Sequence, residues 1–168
     1  VKHCPIPDRV LAEDRLTSEI YEFNGYKNVQ PMRNVGRLDY LKKVNRGSHS
    51  SAVLIVAGLH DGEDLLHTMI SKVIQDPSRE YFFRPHPRGN NRYLRMFRNA
   101  PKNLLLDRRP IHESLSLIES LYVTYSGLGY EAARIGIPVK VVCIPGRINW
   151  SKCIDLCSDA LPVNLCEI

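Results

Sequence analysis

A strand–turn–helix–strand pattern over residues 121–144 constrains the fold of this chain more than any other segment. The apolar run at 121–125 predicts a buried strand, and good helix formers at 130–134 follow it after the Ser-Gly-Leu-Gly turn at 126–129. The β-branched residues at 139–144 predict a second strand. A helix that crosses between two such strands makes a βαβ unit, and βαβ units build parallel sheets.

The same alternation extends along the chain from Ala52 onward. The continuous apolar run at 53–57 is typical of a parallel strand that is buried on both faces. Further strands are predicted at 81–87 and 104–106, and helices at 63–74, 90–99 and 110–117. We therefore expect an α/β fold in which helices flank a Rossmann-like parallel sheet.

The first 47 residues differ from the remainder of the chain. They hold too little apolar material for a core of their own, although short strands at 9–13 and 29–35 and a helix starting at Thr17 are predicted. We expect residues 1–47 to be the end of an N-terminal domain with its connector. Residues 48–168 are then the C-terminal Rossmann-like domain, and the chain is an excised or processed piece of a larger protein.

Composition limits the classes of partner without choosing among them. A hydrophobic content of 43% with 24% charged residues argues against global disorder. The net charge of +5 fits an anionic small ligand, nucleic acid or an acidic membrane surface. Arg92, Arg95 and Arg98 share one side of the predicted helix, as they would on a merely solvated face. No apolar run approaches the roughly 20 residues of a transmembrane helix.

The five cysteines predict reduced thiols in a cytoplasmic protein. Cys143 falls in a predicted core strand, where a thiol behaves as a small apolar group. Cys153, Cys157 and Cys166 lack the paired spacing of a zinc site, so no metal site is predicted.

Candidate ligand-binding residues follow the predicted strands. The carboxyl ends of parallel strands meet at one edge of the sheet, where open α/β sheets bind ligands. The loops there are rich in cations, small residues and N–H donors, which suits a nucleotide mono- or diphosphate better than a metal. The nucleotide-binding candidates are Gly58, His60, Pro87, Arg88, Ser126, Gly127, Leu128 and Glu131, with His86 as the catalytic candidate.

Each of the stronger candidates has a structural alternative. His86 is held between two prolines and could donate to a phosphate oxygen, or it could cap a loop. The turn at Ser126 places a helix N-terminus where a phosphate would bind, but such turns also serve backbone geometry. Glu131 could accept both hydroxyls of a ribose, or it could only favour the helix dipole. His60 and Asp107 are more readily explained as structural, and no general base is predicted after Ala52.

The sequence Arg-Pro-His-Pro-Arg at 84–88, followed by Thr-Tyr-Ser-Gly-Leu-Gly-Tyr-Glu-Ala at 124–132, resembles the C-terminal domain of GT-B glycosyltransferases. The likeness is to bacterial surface-polysaccharide enzymes of the polysialyltransferase, capsular Kdo transferase and glycerophosphotransferase types. In these terms His86 and Pro87 fill a His-Pro motif, Ser126 a serine motif, and Glu131 the position of a ribose-binding acid. Gly127 stands where a second hydroxyl residue is usual.

The resemblance implies metal-independent transfer from a nucleotide-activated sugar, with a CMP-sugar favoured, to a glycan acceptor. It needs no cofactor beyond this donor substrate. It further implies that the acceptor and the catalytic base belong to the rest of the N-terminal domain, so this piece alone would bind nucleotide weakly and catalyse nothing. The expected location is the cytoplasm, with peripheral association at the inner face of the membrane left open, and nucleic acid is not an expected partner.

Two other functions compete with this interpretation. UDP-N-acetylglucosamine 2-epimerases have the same two-domain fold, but they carry Asp-Ser-Gly-Gly followed by two consecutive glutamates. Here Tyr125 replaces the aspartate and Ala132 follows Glu131. The second alternative is a non-catalytic module that binds a nucleotide or docks a partner.

Overall fold

The computed structural model describes residues 6–12, 15–32, 41, 44, 51–148, 151 and 163–166. The chain divides into two compact units, Val1–Lys42 and Lys43–Ile168. The functional assignment of the first 47 residues to an N-terminal domain stays a prediction.

The first unit contains a small parallel sheet and one helix. Strand β1 (Val10–Ala12) pairs in parallel with β2 (Val29–Pro31), and helix α1 (Arg15–Phe23) connects them. Gly25, with φ of 88°, follows the helix and takes a backbone conformation that other residues rarely adopt. Both predicted short strands and the predicted helix are present; β2 ends at Pro31, and residues 33–35 of its predicted range lie outside the described residues.

The second unit is built on a six-stranded sheet in which every neighbouring pair is parallel. Its strands are β3 (Ala52–Val56), β4 (Tyr81–Arg84), β5 (Leu104–Leu106), β6 (Ile118–Val123), β7 (Val139–Val142) and β8 (Val163–Cys166). The spatial order is β5-β4-β3-β6-β7-β8, so the direction of winding reverses between β3 and β6. The expected Rossmann-like α/β fold is therefore confirmed.

A helix follows each of the strands β3, β4, β5 and β6 along the chain. These helices are α2 (Gly62–Gln75), a 3₁₀ helix (Arg92–Asn99), α3 (Ile111–Ser116) and α4 (Gly127–Arg134). The inner face of α2 is apolar and packs on the sheet through Leu65, Leu66, Met69 and Val73, all fully buried. Gly136, with φ of 82°, ends the segment after α4 as the sequence predicts.

Several predicted boundaries were wrong. The strand predicted at 81–87 ends at Arg84, because Pro85 and Pro87 have no N–H for the ladder. The strand predicted at 121–125 runs instead from Ile118 to Val123. The apolar pattern missed its first residues because Ser120 is polar, although it is buried in the sheet. The helix predicted at 90–99 is a 3₁₀ helix, along which Arg92, Arg95 and Arg98 are all exposed.

Two further features depart from the predictions. Strand β8 was not predicted at all, and it pairs with β7 at the edge of the sheet. Cys143 lies one residue beyond β7 and is partly exposed, so it is not a core residue of that strand. Among the described helices, none is long and apolar enough to cross a membrane.

Candidate functional site

A cavity of about 460 Å³ lies where the strand order reverses. Eight residues from the ends of β3, β6 and β7 and the loops after them line it: His60, Asp61, Thr124, Tyr125, Val142, Ile144, Arg147 and Ile148. Pockets of roughly 300–1,000 Å³ are typical of small-molecule sites. The carboxyl edge at such a reversal is also where open α/β sheets bind ligands. The cavity therefore has both the size and the position of a ligand site.

Tyr125 covers the loop after β3. Its hydroxyl accepts a hydrogen bond from the backbone N–H of His60 at 2.9 Å. A Cβ atom at Gly58 would lie 2.5 Å from Cζ and 2.6 Å from Cε2 of the Tyr125 ring. The absence of a side chain at Gly58 thus allows the ring to lie against the β3 loop, and it gives that glycine a packing role beside its predicted ligand role.

Replacing Gly58 with alanine is expected to lower the free energy of unfolding by about 1–3 kcal/mol, because the new methyl group overlaps the Tyr125 ring. Thermal or denaturant unfolding measures the change. In a Tyr125→Ala background the same substitution should cost much less, since the overlapping ring is gone. Equal costs in both backgrounds would contradict this account. Gly127→Ala is the matched control, because a Cβ there meets nothing within 4 Å.

Asp61 is a cavity residue that sequence reasoning missed. It is 1% exposed and precedes α2 at the N-cap position, but its side chain makes no capping hydrogen bond. Instead the Thr124 hydroxyl donates to Asp61 Oδ2, which joins the β3 and β6 loops. Asp61 Oδ1 is buried and has no hydrogen-bond partner within the described part of the chain. The sequence signal, Asp-Gly after a strand, indicated only a turn.

His86 is oriented by the turn that follows β4. The backbone N–H of Arg88 donates to His86 Nδ1 at 3.1 Å, and that of Gly89 donates to the His86 carbonyl at 2.9 Å. Because Nδ1 accepts this hydrogen bond from the backbone, the neutral ring carries its own proton on Nε2. His86 is half-buried and thus presents an N–H donor, whereas Pro87 and Arg88 are exposed.

The Ser126 turn begins α4. Ser126 is the N-cap, and its hydroxyl accepts from the Leu128 N–H at 3.4 Å. Gly127 is exposed, Leu128 is buried, and Glu131 is half-buried one turn further on. The first turn of α4 contains no acidic residue. Its positive dipole end is therefore not neutralised by a carboxylate from its own first turn.

Of the nine predicted site residues, the structure places only His60 on the wall of the cavity. His86, Pro87 and Arg88 follow β4, and Ser126, Gly127, Leu128 and Glu131 follow β6, at the same edge of the parallel sheet. Strands β4 and β6 are separated only by β3, so these loops start roughly 10 Å apart. The structure shows the shared edge, and the shared ligand stays a prediction.

Asp107 has a structural role, as the sequence favoured. Its buried carboxylate accepts from Arg84 Nη1 at 2.7 Å, from Arg109 Nε at 2.8 Å and from the Ser114 hydroxyl at 2.6 Å. Burial alone would raise the pKa of Asp107, but these hydrogen bonds and the adjacent Arg109 charge hold it below its ordinary value. Arg109 also stacks 4.1 Å above the Phe82 ring. The cluster ties β4, β5 and α3 together.

No group of three or more His, Cys, Asp and Glu side chains within the described ranges could hold a metal ion. At the cavity itself, Arg147 is paired with Asp64 of α2. The other polar side chains on the cavity wall are those of His60, Asp61, Thr124 and Tyr125, and each can take part in hydrogen bonds. 

Comparison with known proteins supports the fold. No protein-family model matches the chain, and no curated protein matches it. Among solved structures, UDP-GlcNAc 2-epimerase from Methanocaldococcus jannaschii, in complex with UDP-GlcNAc and UDP, is similar with a TM-score of 0.63 at 14% identity over 95% of this chain. TarM is similar with a TM-score of 0.55 at 15% identity over 82% of this chain.

The chain spans 50% of the epimerase and 30% of TarM. Both the sheet order and these similarities identify the fold as the Rossmann-like α/β fold found in GT-B proteins.

Proposed function

We propose that this chain supplies the nucleotide-sugar-binding domain of a GT-B glycosyltransferase. The observation that carries the proposal is the cavity at the point where the strand order reverses, beside the N-terminus of α4. The resemblance of the sequence to surface-polysaccharide enzymes and the structural likeness of the chain to GT-B proteins support this interpretation. The activity of the whole protein is part of the proposal, because the chain spans half or less of the epimerase and of TarM.

Charge decides which of the two helix N-termini at this edge, that of α2 or that of α4, is the better phosphate site. The first turn of α2 contains Glu63 and Asp64, and buried Asp61 precedes it. A phosphate at α2 would therefore meet several carboxylates. The first turn of α4 has none, and its N–H groups favour an anion. We assign the donor phosphate to the N-terminus of α4, with His86 Nε2–H as a second donor to it.

The chemistry that this arrangement supplies is stabilisation of the departing nucleotide phosphate. Negative charge develops on that phosphate as the sugar leaves, and preorganised N–H donors stabilise it without a metal ion. Activation of the acceptor hydroxyl requires a general base, which we assign to the remainder of the N-terminal domain. We assign the acceptance of hydrogen bonds from the ribose hydroxyls to Glu131, on the second turn of α4.

The finer parts of the proposal rest on the resemblance alone. They are a CMP-sugar donor, a glycan acceptor in bacterial surface or capsular polysaccharide synthesis, and the remaining N-terminal domain as partner. A cytoplasmic protein that binds no nucleic acid, with peripheral membrane association, completes this interpretation.

A UDP-N-acetylglucosamine 2-epimerase-like domain is the second candidate, favoured by the epimerase similarity over 95% of the chain. Calorimetric titration with CMP, CDP and UDP separates the candidates. A preference for cytidine nucleotides favours the transferase with a CMP-sugar donor, and a preference for UDP favours the epimerase. No binding of any of the three would refute both and leave a docking module.

Replacing His86 with alanine is expected to weaken nucleotide binding at least tenfold, about the effect of one hydrogen bond to a charged phosphate. Calorimetry with the preferred nucleotide measures the loss. His67→Ala is the matched control, because His67 is exposed on the middle of α2. An unchanged affinity for the His86 variant would remove that residue from the site.

A further inference from the structure

Arg147 brings a permanent positive charge to the wall of the cavity. It follows β7 at the end of a tight turn, in which its backbone N–H donates to the Ile144 carbonyl at 3.1 Å. Pro145 and Gly146 occupy the two central positions of this turn, and Gly146 has φ of 75°, a combination usual in type II turns. The turn therefore fixes the backbone that carries Arg147 at the cavity.

The ion pair between Arg147 and Asp64 is weak enough to be exchanged. Arg147 Nη2 donates to Asp64 Oδ2, and the two side chains are 47% and 42% exposed. Ion pairs this exposed add little stability, because water and salt screen them. Asp64 also belongs to the first turn of α2, where the positive end of the helix dipole stabilises a carboxylate without help from Arg147. Breaking the pair should thus cause only a small loss of stability.

A guanidinium pairs more strongly inside the cavity than at its exposed rim. Val142 and Ile144 contribute apolar surface there, and apolar surroundings screen charges less than water does. An anion held against this surface would therefore attract Arg147 more strongly than Asp64 does. Asp61, also on the wall, would repel an anion beside it, so an anionic group is most stable on the Arg147 side of the cavity.

The cavity adjoins the position assigned to the donor phosphate. That phosphate is assigned to the N-terminus of α4, whose N-cap is Ser126. Tyr125, the preceding residue, lines the cavity together with Arg147. A ligand whose phosphate lies at α4 can thus extend into the cavity and present a further group to Arg147.

We propose that Arg147 exchanges Asp64 for a second anionic group of the ligand, and that it thereby selects nucleotides that carry one. The group is an oxyanion that a guanidinium binds through two parallel hydrogen bonds, either a second phosphate or a carboxylate on the sugar. The inference rests on the proposed nucleotide-sugar site and narrows its substrate.

Calorimetry tests the exchange with nucleotides that differ in the second anionic group. CDP and UDP add a phosphate to CMP and UMP, and CMP-N-acetylneuraminate adds a carboxylated sugar to CMP. We expect at least one of these additions to tighten binding about tenfold, as for hydrogen bonds between charged groups. Arg147→Met should remove most of this gain, with a smaller loss for the parent monophosphate, and Arg147→Lys should retain part of it. The addition that gives the gain identifies the anionic group.

Asp64→Asn should act in the opposite direction. Removal of the competing carboxylate should tighten binding of the same ligand about two- to fivefold, the range for exposed ion pairs. This effect should disappear in an Arg147→Met background, whereas a general loss of negative charge would act in both backgrounds. Glu63→Gln is the matched control, because Glu63 is exposed in the same turn of α2. It should change affinity less than twofold.

The outcomes separate this inference from the proposed function. Binding of CMP or UMP with no Arg147-dependent gain from any of the additions would overturn the role of Arg147 alone. Equal effects of Asp64→Asn and Glu63→Gln would overturn the exchange in the same way. If none of these nucleotides binds, the nucleotide site itself is refuted, and the assignment of Arg147 falls with it.

Discussion

Replacing Asp107 with alanine is expected to lower the free energy of unfolding by about 3–5 kcal/mol, the usual cost of breaking a buried ion pair from one side. The carboxylate is fully buried, while Arg84 and Arg109 are 24% and 30% exposed. Without Asp107, both guanidinium groups lose their carboxylate, and Ser114 loses its acceptor. Chemical denaturation measures the change.

Two controls make the Asp107 result specific. Glu119→Ala removes an exposed ion pair with Arg79, at 3.6 Å, and should cost less than about 1 kcal/mol. Asp107→Asn keeps the shape and part of the hydrogen bonding, so its loss should fall between the two. If Asp107→Ala costs no more than Glu119→Ala, the cluster does not stabilise this part of the sheet.

The sign of the pH dependence follows from the direction of the pKa shift. Because the folded-state pKa of Asp107 lies below its unfolded value, its contribution to stability is complete above the unfolded pKa, about 4. The contribution is lost as pH falls through the lower folded-state pKa. The free energy of unfolding of the unmodified chain should therefore fall more steeply below about pH 4 than that of Asp107→Asn. Parallel curves would contradict this assignment.

Replacing Phe83 with alanine is expected to cost about 3–5 kcal/mol of the free energy of unfolding, the range for buried aromatic truncation. Phe83 is fully buried in β4, and its ring centroid lies 5.3 Å from that of Tyr93 and 5.9 Å from that of Phe97. Both partners belong to the 3₁₀ helix. Loss of the ring leaves a cavity between the sheet and that helix.

The Phe83 substitution should also reach the candidate site. The turn that contains His86 connects β4 to the 3₁₀ helix, so loosening of that helix should increase amide exchange at residues 86–91. Ile74→Ala is the control, because Ile74 is 60% exposed on α2 and its loss should change stability by less than about 0.5 kcal/mol. A Phe83 variant as stable as the Ile74 variant would contradict the described core.

The sheet could be predicted from the sequence because parallel strands buried on both faces need uninterrupted apolar runs. The run at 53–57 met that condition and coincides with β3 within one residue. Strand β8, Val-Asn-Leu-Cys, combines a polar residue with a short length, so its sequence carries no comparable signal. The shared direction of the predicted parallel strands also indicated the ligand-binding edge from the sequence alone.

The cavity could be predicted only in part, because its distinctive contacts join distant positions. Tyr125 packs on Gly58 across 67 residues, and Thr124 binds Asp61 across 63. Neither contact leaves a local pattern: Gly58 and Asp61 both read as turn residues, and Tyr125 read as the end of a strand. Short motifs identified residues with a local signature, such as His86 between prolines, and missed the carboxylate whose role depends on its tertiary neighbours.

The most direct test of the nucleotide site is a titration of the ¹⁵N-labelled chain with CMP, CDP and UDP, followed by amide chemical shifts. We predict saturable shifts for the amides of Gly127, Leu128 and Gly129, together with His60 and Arg88, at the carboxyl edge of the sheet. Shifts confined to the opposite edge, or no saturable shift with any of the three nucleotides, would contradict the proposal that this edge binds a nucleotide phosphate.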